Sequence, residues 1–346
     1  MAPFVHKRAP RYWWERLSDA KLLDLKLCDL GLEIAGSDLE AYIQQLFAEL
    51  RARGLKLMPP CWLSYDWFAP SHIAGIAIPF YLAHPRLKRL EDQMMLEVEG
   101  GTKKWCMNLL RHEAGHVYET AYRLGRRPTW RRVFGNSSKP YPRNYRIRPI
   151  SKNYVLHLDW WYAQSHPSED FAETFAVWLA PGSRWRAVYR DWPALKKLEY
   201  VDRLMTELTG KRQPQPTRER DAHVSTLRWT LREHYNHKRR ERSEHYPDFY
   251  DPDLHHLFPD SPNASSAPAA AAYLRKLAPE LRRIVSSWAG VHSYTVDLVL
   301  RDMITRCREL DLRVGRSANE IKLEAAIMLT MQTMNFIYHS DYKVPL

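Results

Sequence analysis

Leu109-Leu110-Arg111-His112-Glu113-Ala114-Gly115-His116-Val117-Tyr118-Glu119 is the stretch on which the reading of the whole chain turns. It lies in a segment with helical character, and on a helix positions i and i+4 share a face. His112 and His116 can therefore offer two imidazoles to one cation, with Glu113 leaning over the same place as a base. This is the side-chain pattern of metal-assisted hydrolysis. Zinc in a catalytic site takes three protein ligands and keeps a fourth position for water, so a third ligand must come from elsewhere. One class of such sites adds a His six residues after the second His, with a Gly between them. Here those places hold Tyr122 and Glu119, which excludes that class.

A second class takes a Glu from a following helix. The downstream stretch that fits is Ser165-His166-Pro167-Ser168-Glu169-Asp170-Phe171-Ala172-Glu173-Thr174-Phe175-Ala176. Pro167 suits a first helical turn, and the acids after it suit the positive end of the helix dipole. Glu169 and Glu173 are one turn apart on one face, so Glu169 can bind the metal while Glu173 accepts the N–H of a ligating histidine and fixes its tautomer. Asp170 points about 100° away and is the weaker candidate.

These residues resemble a known group. H-E-A-G-H followed by E-D-F-A-E-T-F-A is similar to the Glu-ligand zinc metallopeptidases, the gluzincins, and the run from about Trp62 to Tyr200 resembles the bacterial "putative zinc-binding metallopeptidase" family. The helix pair is also similar to the catalytic helices of anthrax lethal factor and the Pro-Pro endopeptidases, where a Tyr seven residues before the metal-binding Glu helps to stabilise the oxyanion. That position here is Tyr162. The resemblance implies an α+β, zincin-like domain with a small mixed sheet, an edge strand and active-site helices. It further implies one Zn2+ per chain on His112, His116 and Glu169, water activated by Glu113, and hydrolysis of a peptide or isopeptide bond in a peptide or protein substrate.

The chain has 346 residues, 45% of them hydrophobic and 12% aromatic, which suits one large domain with a smaller one. No stretch approaches the roughly 20 apolar residues that cross a bilayer, and Met1 to Pro10 lacks the apolar core of a signal peptide, so a soluble, cytoplasmic protein without membrane partners is expected. Cys28, Cys61, Cys106 and Cys307 are scattered and read as reduced thiols. A net charge of +12 invites a nucleic-acid or polyanion reading, centred on the ten Lys and Arg against four acids between residues 211 and 242, with Trp229 and Tyr235 interleaved. The next stretch, residues 244 to 260, carries five acids and no Lys or Arg, which weakens that field, so nucleic acid is not the expected partner. A scaffold with a vestigial zinc site is the other rival.

In chain order, residues 1 to 17 read as a surface arm and Leu22 to Ile34 as an early strand. Ser37 with Glu40 forms a capping box before a helix that ends near Gly54. Strands are expected in Leu55 to Trp67 and Ile73 to Leu82. Pro79 assigns the second to a sheet edge, where Gly75, Ile76, Ala77 and Ile78 could bind an extended substrate as an added strand. Thr102 caps a long helix, Lys103 to Leu124. The loop from Arg126 to Val155, with Tyr141, Tyr145 and Tyr154, walls the cleft, and Leu195 to Leu208 is a further helix. Residues 1–210 make the catalytic domain and 211–268 a charged hinge with an exposed helix, Arg218 to Arg242, and a linker, Asn263 to Pro268. Residues 269–346 make a helical domain with a break at Pro279. Its two buried stripes are Val296, Leu300, Met303, Cys307 and Leu310, and Leu323, Ile327, Met331, Met334 and Ile337. It reads as a module for a protein partner or a dimer, or as a lid.

Overall fold

The computed structural model describes residues 12–142, 145, 148, 151–211, 219–240, 250–259, 267–315 and 317–339. Among them the chain is mostly helical, with one two-stranded sheet, an α+β composition. Two compact units divide it: one is Met1–Met94, Val98–Pro142 and Arg146–His237, the other Met95–Glu97, Arg143–Tyr145 and Lys238–Leu346.

In the first unit the expected surface arm falls partly on residues 1–11, outside the described residues. A 3-10 turn, Trp13–Arg16, buries Trp14 and lets its Nε1–H donate to Leu30 O (2.8 Å). The expected strand at Leu22 to Ile34 is instead α1 (Asp19–Leu23) and a 3-10 turn, Leu27–Leu30. Leu22, Leu23, Leu27 and Leu30 are all buried, a helical spacing that the short alternation after Leu25 obscured. α2 (Asp38–Ala52) buries Leu39, Ile43, Leu46 and Leu50. The expected capping box does not form: Glu40 Oε2 accepts from Gly36 N (2.7 Å), one residue before Ser37, and Ser37 Oγ donates back to Ile34 O (2.6 Å) instead of capping the helix.

β1 (Cys61–Ser64) and β2 (Ile76–Pro79) pair in parallel, Trp62 beside Ala77. The sheet is thus parallel and two-stranded where a mixed sheet was expected, and its outer edge is closed. Ala77 N donates to Phe68 O (2.9 Å) and Phe68 N donates to Ala77 O (3.4 Å), so Phe68 already occupies that edge.

After α3 (Pro85–Met95), α4 (Lys103–Ala121) begins at Thr102, whose Oγ1 accepts from Trp105 N (3.3 Å). α5 (Pro128–Phe134), α6 (Pro167–Leu179), α7 (Trp185–Val188) and α8 (Leu195–Leu208) come next. α4 and α6 cross so closely that a Cβ on Gly115 would lie 2.8 Å from Ala172 Cα. α2 braces α4 through a bidentate pair, Arg111 Nε and Nη2 donating to Glu49 at 2.8 Å each. α8 braces α6, with Trp178 Nε1–H donating to Asp202 Oδ1 (2.8 Å).

Residues 219–237 pack into this unit rather than forming a hinge. Trp62 Nε1–H donates to Asp221 O and Ser64 Oγ to Ala222 O, each at 2.8 Å. The helix expected to be exposed from Arg218 to Arg242 is α9 (Leu231–Arg240), which buries Leu231, His234 and Tyr235. The basic residues at 212–218 and 241–242 lie outside the described residues.

The second unit holds α10 (Asp251–Leu257), α11 (Ala270–Ala289), α12 (Ser293–Glu309) and α13 (Ala318–His339) around Leu254, Leu274, Leu281, Leu300, Met303 and Leu329. Val296, Leu300, Met303 and Cys307 of the first tail stripe are buried. α11 runs through Pro279 without ending, since burial of Leu274, Ala278, Leu281 and Val285 on both sides of it outweighs one missing hydrogen bond. In α13 the first three residues of the second stripe face outward, Leu323, Ile327 and Met331 being 64%, 60% and 44% exposed, while Ile337 is partly buried against the core and Ile321, Ala325, Met328 and Leu329 point into it. Linker residues 263–266 lie outside the described residues. Among the described residues no helix is long and apolar enough to cross a membrane.

Candidate metal centre

α4 and α6 bring three donor atoms together. His112 Nε2 is 3.0 Å from Glu169 Oε2, His116 Nε2 is 3.1 Å from the same oxygen, and the two ring nitrogens are 3.1 Å apart. His112 is 2% exposed and Glu169 4% exposed, so little water reaches them. His112 Nδ1 donates to Glu173 Oε1 (2.8 Å), and this bond leaves the lone pair of Nε2 turned toward the other donors. Glu173 Oε2 in turn accepts from Leu158 N (2.9 Å), so both its oxygens are held. Three electron-pair donors that face one another at such distances repel unless a proton or a cation lies between them. His112, His116 and Glu169 form a candidate metal site.

Protonation is governed by the same geometry. Burial disfavours the charged form of His112, but the hydrogen-bonded Glu169 and Glu173 carboxylates hold its pKa well above the ordinary value. Burial likewise opposes charge on Glu169, and His116 and His112 overcome it and draw its pKa well below the usual carboxylate range. For Glu113 burial wins over the two histidines and the pKa is raised. Glu113 Oε2 is buried with no hydrogen-bond partner among the described residues, an acceptor free to take a proton from a reacting molecule.

Tyr162 lies beside this group, its ring centroid 5.6 Å from that of His112. It sits on the 3-10 turn Asp159–Gln164, in which Trp161 adopts a left-handed backbone (φ 53°), uncommon for an aromatic residue. Asp170 is turned away: its Oδ2 accepts from Lys197 Nζ (2.6 Å). Glu119 is also engaged elsewhere, accepting from Ser168 Oγ (3.2 Å). Gly75, Ile76, Ala77 and Ile78 are not available as a substrate edge. The last three are fully buried, Phe68 takes the outward groups of Ala77, and Trp62 Cζ3 stands 2.5 Å from where a Cβ of Gly75 would be.

Sequence reasoning placed Tyr141 in the wall of the cleft. The structure puts its hydroxyl 2.7 Å from Glu169 Oε1, and burial with the Glu169 charge raises its pKa so that it remains a donor. Its ring stacks on His166 (centroids 4.0 Å apart), whose Nδ1 accepts from Ser168 N and whose Nε2 meets Lys139 O (3.1 Å each). Nothing in the spacing of a proline-rich loop announces such a contact across 28 residues.

No curated protein and no solved structure matches the chain. Residues 103–182, the span that carries both helices of the centre and all three candidate ligands, match the family described as "Putative zinc-binding metallo-peptidase".

Proposed function

We propose that the protein is a zinc-dependent metallopeptidase of the gluzincin type, with a zincin-like first unit, that hydrolyses a peptide or isopeptide bond in a peptide or protein substrate. The observation that carries this reading is the convergence of His112 Nε2, His116 Nε2 and Glu169 Oε2 beside the unpaired acceptor of Glu113. The donor set fits zinc: four ligands at about 2.0–2.2 Å in a tetrahedron stand roughly 3.3–3.6 Å apart, a few tenths of an ångström from the separations found. Zinc held there would act as a Lewis acid and lower the pKa of bound water toward about 7. Glu113 takes the proton of the attacking water and returns it to the leaving amine. Tyr162 donates its hydroxyl toward the carbonyl oxygen as negative charge develops. Glu173 and Leu158 N keep the His112 ring in the tautomer that binds metal.

Metal analysis of the purified chain and a peptide-library digest, run beside Glu113→Gln, test the proposal. One zinc should be retained in both proteins, while turnover of the variant falls on the order of 10²- to 10⁴-fold. Zinc bound without any cleavage would favour the vestigial scaffold, and full activity in Glu113→Gln would overturn the mechanism.

A further inference from the structure

The two oxygens of Glu169 have different neighbours. Oε2 faces His112 Nε2 (3.0 Å) and His116 Nε2 (3.1 Å), and Oε1 accepts from the Tyr141 hydroxyl (2.7 Å). A carboxylate can give a metal one oxygen or both, and the second oxygen would crowd the place that a hydrolytic site keeps for water, as a fifth ligand beside the three protein donors and that water. Tyr141 is not a loose surface residue in this respect. Although 49% exposed, its ring lies flat on His166, and His166 is fixed by Ser168 N at the start of α6 and by Lys139 O two residues before Tyr141. The helix that supplies Glu169 therefore also fixes the loop that supplies the tyrosine.

Resting on the zinc reading above, we propose that Tyr141 is a positioning residue: its hydroxyl holds Glu169 Oε1 back, so that Glu169 offers the metal Oε2 alone and one coordination place stays open. The metal environment reports this role directly, whatever the substrate. The full chain and Tyr141→Phe are compared for zinc affinity by chelator competition and, after loading with cobalt(II), for the visible spectrum. The variant keeps the ring and its stacking, so folding is not at stake. It should bind zinc roughly 10- to 100-fold more weakly, as the loss of an outer hydrogen bond to a ligand does. Its cobalt bands should weaken as Glu169 turns to offer both oxygens and the ion moves from four toward five ligands. Unchanged affinity overturns the proposal, as does weaker binding with an unchanged spectrum, and in either case a zinc-loaded wild type leaves the peptidase reading standing. If the wild type binds no zinc, both fall.

Discussion

Lys197 is the counter-ion of a carboxylate that sees almost no solvent. Asp170 is 3% exposed, Lys197 Nζ donates to its Oδ2 at 2.6 Å and also lies over the Tyr154 ring at 4.1 Å, and burial pushes the acid up to about 7 in spite of its partner. Removing one member of a buried pair is costly because the other remains in a poor solvent. Lys197→Met should destabilise the first unit by about 3 kcal/mol, at the low end for such a loss because Asp170 can take up a proton. Denaturant unfolding checks this, and a change under about 1 kcal/mol, the value of an exposed pair, would show the contact to be ornamental. Helical geometry alone separates Asp170 from Glu169, since adjacent residues point about 100° apart. It does not reveal where Asp170 goes, because its partner stands 27 residues further on in another helix.

Gly115 sets the spacing of the two helices that make the centre. Its missing side chain faces Ala172, and a Cβ there would meet main-chain carbon at 2.8 Å, a contact that no rotamer change relieves. Gly115→Ala should therefore cost about 1–3 kcal/mol of stability, as overpacking does, where an ordinary helix interior would gain from the change. It should also weaken metal binding by parting His116 from Glu169, and calorimetry with metal titration would show both effects or refute them. The two helices were legible because their signals are local: a pair of histidines at i and i+4, a Pro at a first turn and two Glu one turn apart. α13 was not, because it is apolar on two faces, and periodicity cannot choose between Leu323, Ile327, Met331 and the face of Ile321, Ala325, Leu329. The fold buries the latter together with Gln332 and Thr333. For β2 the sequence signal was right about a strand at a sheet edge and silent about Phe68, which arrives from a turn to cover it.

At the scale of the whole molecule, every side chain assigned to the centre or its support comes from the first unit, including Glu49, Tyr141, His166 and Lys197. The charged segment blurred that boundary in the sequence, since its buried apolar residues, Val224, Leu227, Leu231 and Tyr235, are few and set among Arg and His. A chain ended after His237 should remain soluble and bind one metal ion with the affinity of the full protein, and insolubility or metal loss in that truncation would show that the second unit is needed to complete the first. The bond from Leu158 N to Glu173 carries a consequence of a different kind. One backbone amide, in a residue that is neither ligand nor base, shares a carboxylate with His112, and its proton is withheld from exchange with solvent only while Glu173 keeps its place. The exchange of the Leu158 amide thus acts as a clock on the integrity of the centre, readable without substrate, inhibitor or turnover.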